Sequence, residues 1–138
     1  MTKANRFCAA RIRVGSSSHT LDQISAVLGV EPTQGLVATP LKGLSINEDP
    51  SASERIWVLR SARPESDDLE FHLVDVLNTI EQCRPGLLSL CAEGAWAEVS
   101  GTVASRSGQF HTSISPETLA RIVALELDLM LNLYPPQS

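Results

Sequence analysis

At 138 residues the chain has the length of one ordinary domain and can bury a core without a metal or disulfide staple. Hydrophobic residues at 43% and charged residues at 20% match globular usage and exclude wholesale disorder. A net charge of −5, from 16 acidic against 11 basic residues, argues against a general nucleic-acid binder, whose surface carries a basic surplus.

The first element is an alternating strand from Phe7 to Val14. Cys8, Ala10, Ile12 and Val14 share one face, and Phe7, Ala9, Arg11 and Arg13 share the other, so one side is core. No secretory apolar segment precedes it, and no apolar run approaches the ~18 residues of a spanning helix. A soluble cytoplasmic protein without membrane association is the expectation. After Gly15 and three serines, Thr20 is placed to cap a helix, with Gln23 completing a capping box and Leu21, Ile24, Val27 and Leu28 forming its apolar stripe. Gly29 ends it.

Between Glu31 and Glu54 the periodicity disappears among Pro32, Gly35, Pro40, Gly43 and Pro50, which predicts a long irregular loop over 31–54. A strand follows from Arg55 to Ser61. It carries core-grade residues on both faces, Trp57 among them, and so belongs inside the sheet with both sides covered. Pro64 to Asp68 introduces a helix with an acidic first turn, and Leu69, Leu73, Val76, Leu77 and Ile80 give it a buried face. Pro85 breaks or restarts that helix, and Leu87, Leu88, Leu90 and Cys91 carry the stripe on to Gly94.

The next strand, Ala95 to Ala104, sets Ala97, Val99, Gly101 and Val103 against Trp96, Glu98, Ser100 and Thr102. Ser105 to Gly108 reads as a turn, from which Gln109 to Thr112 returns as a short strand. Ser115 caps the last helix with Pro116 at its first position, where the missing N–H has no helical partner to lose. Leu119, Ile122, Val123 and Leu125 form its apolar side, and a final strand alternates from Leu127 to Tyr134.

Reactive side chains do not gather into a motif. Cys8, Cys83 and Cys91 have no metal or redox spacing and read as three buried thiols. His19, His72 and His111 lack ligand spacing and read as solvent-facing or cap-region residues. The Gly15–Thr20 turn has backbone donors that could hold an anion, but no Walker lysine, so it reads as a capped turn. No Gly-x-Ser-x-Gly elbow is present. Glu98 and Asp128 could act as paired carboxylates on neighbouring strands, although pairing with Arg11 or Arg13 is the simpler fate. No catalytic residue, metal ligand or cofactor is assigned.

The run of Arg6-Phe7, Ile12, Leu21-Asp22, Ile24-Ser25, Leu28-Gly29, Glu31-Pro32-Thr33, Trp57-Val58-Leu59, Leu69 to Leu77 and Gly94 resembles a bacterial family, domain of unknown function 4279. Gly108-Gln109-Phe110, Ser115-Pro116-Glu117, Leu119-Ala120 and the closing Leu-Asp-Leu tract extend the likeness to roughly Tyr134. After its Pro-Thr pair the family carries a Trp-Arg-Lys-Gly-Asp-like stretch, and this chain has Gln34-Gly35-Leu36-Val37 instead. The resemblance implies a small bacterial α+β domain without an assigned activity. Similar small proteins sometimes occur in toxin-immunity neighbourhoods, so the resemblance also keeps a partner-binding role among the expectations.

The expected fold is one α+β domain over residues 1–138. It is a two-layer sandwich of a four- or five-stranded, mostly antiparallel or mixed sheet with three helices on one face, ferredoxin-like in its possible connectivity. Strand alternation then gathers Arg11, Arg13, Trp96, Glu98, Ser100, Asp128, Met130, Asn132 and Tyr134 on the opposite face. Arginine, tryptophan, tyrosine and methionine are enriched in interfaces. The leading expectation is therefore a non-enzymatic module that binds a protein partner or a second copy of itself through Arg11, Arg13, Trp96, Glu98, Asp128, Asn132 and Tyr134, with an immunity or regulatory role. The alternative is a small-ligand sensor or enzyme with a pocket between the sheet and the 31–54 loop.

Overall fold

The computed structural model describes residues 6–38, 54–106 and 111–134. In chain order they form β1 (Arg6–Ser16), α1 (Leu21–Leu28), β2 (Gln34–Ala38), β3 (Glu54–Arg60), α2 (Leu69–Ile80), a 3-10 turn (Glu81–Cys83) and α3 (Arg84–Ala92). There follow β4 (Trp96–Ser105), α4 (Pro116–Ala124) and β5 (Asp128–Tyr134). One five-stranded sheet has the order β2-β3-β1-β4-β5. All neighbours are antiparallel except β4 and β5, which run parallel.

This is the mixed sheet of an α+β fold. From β1 to β4 the element order and strand order are those of the split βαββαβ, or ferredoxin-like, arrangement. A parallel fifth strand needs a crossover, and α4 supplies it.

Local signals behave as their chemistry requires. Thr20 Oγ1 accepts the Gln23 N–H at 3.1 Å and the Gln23 side chain accepts the Thr20 N–H at 2.8 Å, closing the capping box of α1. Gly29 ends that helix at φ 77°, a left-handed position that glycine takes without strain. Ser115 Oγ accepts the Thr118 N–H at 3.1 Å at the head of α4. The helix that follows Pro64 is broken and restarted near Pro85, as expected: α2 stops at Ile80, and the chain tightens into the 3-10 turn before α3 begins with Pro85 in its first turn.

The core lies between the inward face of the sheet and the helices that contact it. Cys8, Ala10, Ile12 and Val14 of β1, Val99 and Val103 of β4 and Trp57 of β3 are buried with Ile24, Leu69, Leu73, Val76, Leu77, Ile80, Leu87 and Leu90. The Trp57 indole N–H donates to Ser25 Oγ at 3.1 Å, which satisfies the ring's one polar group at no cost to its burial. At Gly86 a Cβ would fall 2.4 Å from the Val27 carbonyl oxygen, so the absence of a side chain lets α3 lie against α1.

Five sequence expectations change. Residues 34–38, inside the expected 31–54 loop, form β2, because pairing with β3 supplies the hydrogen bonds that local propensity does not. Residues 39–53, and with them most of that loop and any pocket beneath it, lie outside the described residues, as do Ser107 to Phe110 at the expected turn and returning strand. His111 and Thr112 are described and are not in a strand. Cys91 is exposed, unlike Cys8 and Cys83.

His72 is buried, not solvent-facing: it receives the Ser61 hydroxyl at Nδ1 (2.7 Å) and donates from Nε2 to the Pro64 carbonyl (2.9 Å). On α4 the buried residues are Thr118 and Ile122, while Leu119 and Val123 face solvent, so its apolar stripe is narrower than the pattern implied.

Candidate functional site: the outward face of the sheet

Alternation along each strand, combined with the register, lays out the outward face as rows. The first row runs Leu36, Ile56, Gly15, Trp96 across β2, β3, β1 and β4. A Cβ on Gly15 would stand 2.2 Å from the Trp96 ring, so the indole lies flat across the glycine. From there its N–H donates to Glu54 Oε2 at 2.9 Å. The next row is Gln34, Val58, Arg13, Glu98, Asp128, followed by Arg60, Arg11, Ser100, Met130. Below them come Ala9, Thr102, Asn132 and then Phe7, Ala104, Tyr134.

All seven site residues expected from the sequence, Arg11, Arg13, Trp96, Glu98, Asp128, Asn132 and Tyr134, therefore share this face, but they do not act as one group. Arg13 is committed internally. Its Nε donates to Glu98 Oε1 at 2.7 Å, and its guanidinium carbon stands 5.4 Å from the centre of the Trp96 ring. Glu98 is buried, and its charge is met by Arg13, so the two form a cross-strand ion pair. Asp128 stands directly beside Glu98 in the parallel ladder, and the Glu98 carboxylate is already bound to Arg13. Asp128 and Tyr134 are exposed and Asn132 is half-buried on β5.

Sequence reasoning left Arg60 out of this constellation. Its strand pattern shows it beside Ile56 and Val58, but only the pairing of β3 with β1 brings it opposite Arg11. Glu54, the hydrogen-bond acceptor for Trp96, escaped for the same reason.

One other cluster is structural. Ser16 Oγ lies 3.0 Å from His19 Nδ1, and His19 Nε2 lies 2.8 Å from Glu93 Oε2, a serine-histidine-carboxylate composition. The Ser16 oxygen is buried and accepts the backbone N–H groups of Ser18 and His19, each at 3.1 Å, which stills it as a nucleophile. The same two bonds take the Ser18 and His19 N–H groups away from any anion.

A cavity of about 610 Å³ opens at the other end of the sheet beside Arg6, Phe7, Glu65, Ser105 and Arg106. Arg6 there is bound to Asp68 and to the His111 carbonyl. Among the described residues no group of three or more His, Cys, Asp or Glu side chains is placed to hold a metal ion. Burial raises the thiol pKa of Cys8 and Cys83, and partial desolvation followed by the nearby Glu126 charge raises that of the surface-exposed Cys91, which favours the thiol over the thiolate in all three.

A ferredoxin-like core extended by a parallel strand, with an arginine- and aromatic-bearing outward face, defines a small α+β domain. The family model described as Domain of unknown function (DUF4279) matches residues 6–136, and the chain belongs to that family. No curated protein and no solved structure matches it.

Proposed function

We propose that the protein is a non-enzymatic association module that pairs with a second copy of itself, or with a protein partner, through β5 and the sheet face beside it. One observation carries the reading. Among the described residues β5 ends the sheet with a single neighbour, and Met130, Leu131, Leu133 and Tyr134 are 42%, 44%, 51% and 58% exposed on its two faces. An edge strand with apolar side chains on both faces is a template for further pairing unless charge, proline or a covering element blunts it. Between Leu129 and Tyr134 the strand carries no charge or proline.

Pairing of β5 with a second β5 would extend the sheet, bury these side chains and bring the Tyr134 and Met130 rows of the outward face to the contact. An immunity or regulatory role is the form of this reading in which the partner is another protein, and we take that setting to be the bacterial cytoplasm. No helix among the described residues is long and apolar enough to cross a membrane.

Sedimentation across a concentration series tests the proposal with the variants Leu131→Lys and Leu133→Lys. A stable pairing covers about 800 Å² per partner, so wild type is expected to associate and each charged variant to remain monomeric and folded. A wild type that stays monomeric with itself and with proteins encoded beside it overturns the reading, as does a variant that associates as tightly. Arg13→Glu is a poor probe, because it sets two carboxylates side by side at the buried Glu98.

A further inference from the structure

The row Arg60, Arg11, Ser100, Met130 carries three unmet demands in adjacent places. Arg11 and Arg60 are directly opposite on β1 and β3, and like charges in that position repel. Neither guanidinium has a hydrogen bond or carboxylate partner among the described residues, in contrast to Arg13 with Glu98, Arg63 with Asp67 and Arg121 with Glu81. Beside Arg11, on the side of β1 away from Arg60, stands Ser100 of β4, 1% exposed. Its Oγ is the one buried side-chain oxygen or nitrogen without a partner among the described residues. Leaving a buried hydroxyl unsatisfied costs stability, as does holding two cations together.

We infer that Arg11 and Arg60, with Ser100 as a third donor, form a binding site for a small oxyanion, a carboxylate or phosphate group, on the outward face of the sheet. Such a group accepts from both guanidiniums in the forked geometry that arginine favours, neutralises their repulsion and offers the Ser100 hydroxyl an acceptor. The three donors come from three adjacent strands of a hydrogen-bonded sheet, so their backbone is already in place before the ligand arrives. Arg11 itself responds to the arrangement: burial first, then the nearby charges of Arg13 and Arg60, lower its pKa from the ordinary arginine value. Glu98 offsets part of Arg11's unfavourable surroundings, but its hydrogen bonds go to Arg13, so neither Arg11 nor Arg60 has a bonded carboxylate among the described residues. The site needs only one copy of the chain and stands independently of association through β5.

Titration with inorganic phosphate and, separately, acetate tests it by backbone and arginine side-chain NMR, at a protein concentration where sedimentation finds monomer and against sodium chloride at matched ionic strength. Saturable shifts at Arg11, Arg60 and Ser100 are expected, with Arg11→Gln and Arg60→Gln each weakening binding about tenfold or more. Phosphate bound in preference to acetate assigns a phosphorylated ligand, and the reverse order assigns a carboxylate. Ser100→Ala should weaken binding less while leaving the ligand-free protein as stable as wild type, since it removes a hydroxyl that had no partner. Shifts that chloride reproduces, that fail to saturate, or that persist unchanged in both arginine variants overturn the site.

Discussion

Strands β1 and β5 lie two places apart in one sheet and read alike in sequence, each alternating apolar residues toward the core. Their fates differ. The inward residues of β1, Cys8, Ala10, Ile12 and Val14, are at most 1% exposed, whereas Leu129 of β5 is half-buried and Leu131 and Leu133 are 44% and 51% exposed. The two strands present the same face: Leu131 reaches the position of Gly101, beside Leu69, as a core residue should. What differs is coverage. β1 has a neighbour on each side and α2 packed against it, while β5 has one neighbour and is touched by α4. Alternation selects a face, and the helices decide how dry that face becomes.

The sharpest way to break this comparison is to remove matched leucines. Leu77→Ala deletes a fully buried side chain of α2 and is expected to cost about 2–5 kcal/mol, a transfer loss plus a cavity. Leu131→Ala should stay near half a kcal/mol in the monomer, as exposed substitutions do. Chemical denaturation of both variants at a concentration below any association checks the pair, and equal losses would mean that β5 is as well covered as the core.

Next in size is the close helix contact that keeps the β1 side dense. Gly86→Ala drives a methyl group toward the Val27 carbonyl and is expected to cost about 1–3 kcal/mol by overpacking. A neutral result in the same denaturation series would show α1 and α3 yielding without strain.

The smallest effect concerns how α4, the crossover to β5, is held. Glu70 of α2 accepts the Ser115 N–H at 2.6 Å, and that bond, followed by the hydroxyls of Ser115 and Thr118, lowers its pKa from the ordinary value of 4.5. A carboxylate depressed in the folded state stabilises above its unfolded pKa, and that contribution disappears as the pH falls through the folded pKa. Glu81, lowered by its bonds to Arg121 of α4, acts in the same direction. Melting temperatures from neutral pH down to about pH 3 should therefore fall less steeply for Glu70→Gln than for wild type. Parallel acid limbs would remove Glu70 from the account.

Much of the architecture was legible one segment at a time. The capping box at Thr20 and Gln23, the Ser115-Pro116 helix start, the break near Pro85 and the buried stripe from Leu69 to Ile80 depend on residues within a few positions of one another. So does the assignment of Arg11, Arg13, Trp96, Glu98, Asp128, Asn132 and Tyr134 to one side of their strands. β2 was not legible, because Gln34 to Ala38 lacks strong alternation and becomes a strand by pairing with β3. His72 was misread because its burial depends on Ser61 and the Pro64 carbonyl, which only the fold brings to its ring.

The sequence by itself thus determined where helices begin and end, which side of each strand is apolar, and that an arginine- and aromatic-bearing face would exist. Tertiary structure decided the rest: that β3 and β4 flank β1, that Arg11 consequently stands between Arg60 and an unpartnered Ser100, that Arg13 is paired with Glu98, and that β5 is left at a partly uncovered edge of the described sheet. The division has a physical origin. Caps and periodicity are properties of neighbouring residues in the chain, whereas strand order, register and coverage arise from contacts between distant segments, and one sequence pattern is compatible with several of them until the core selects one.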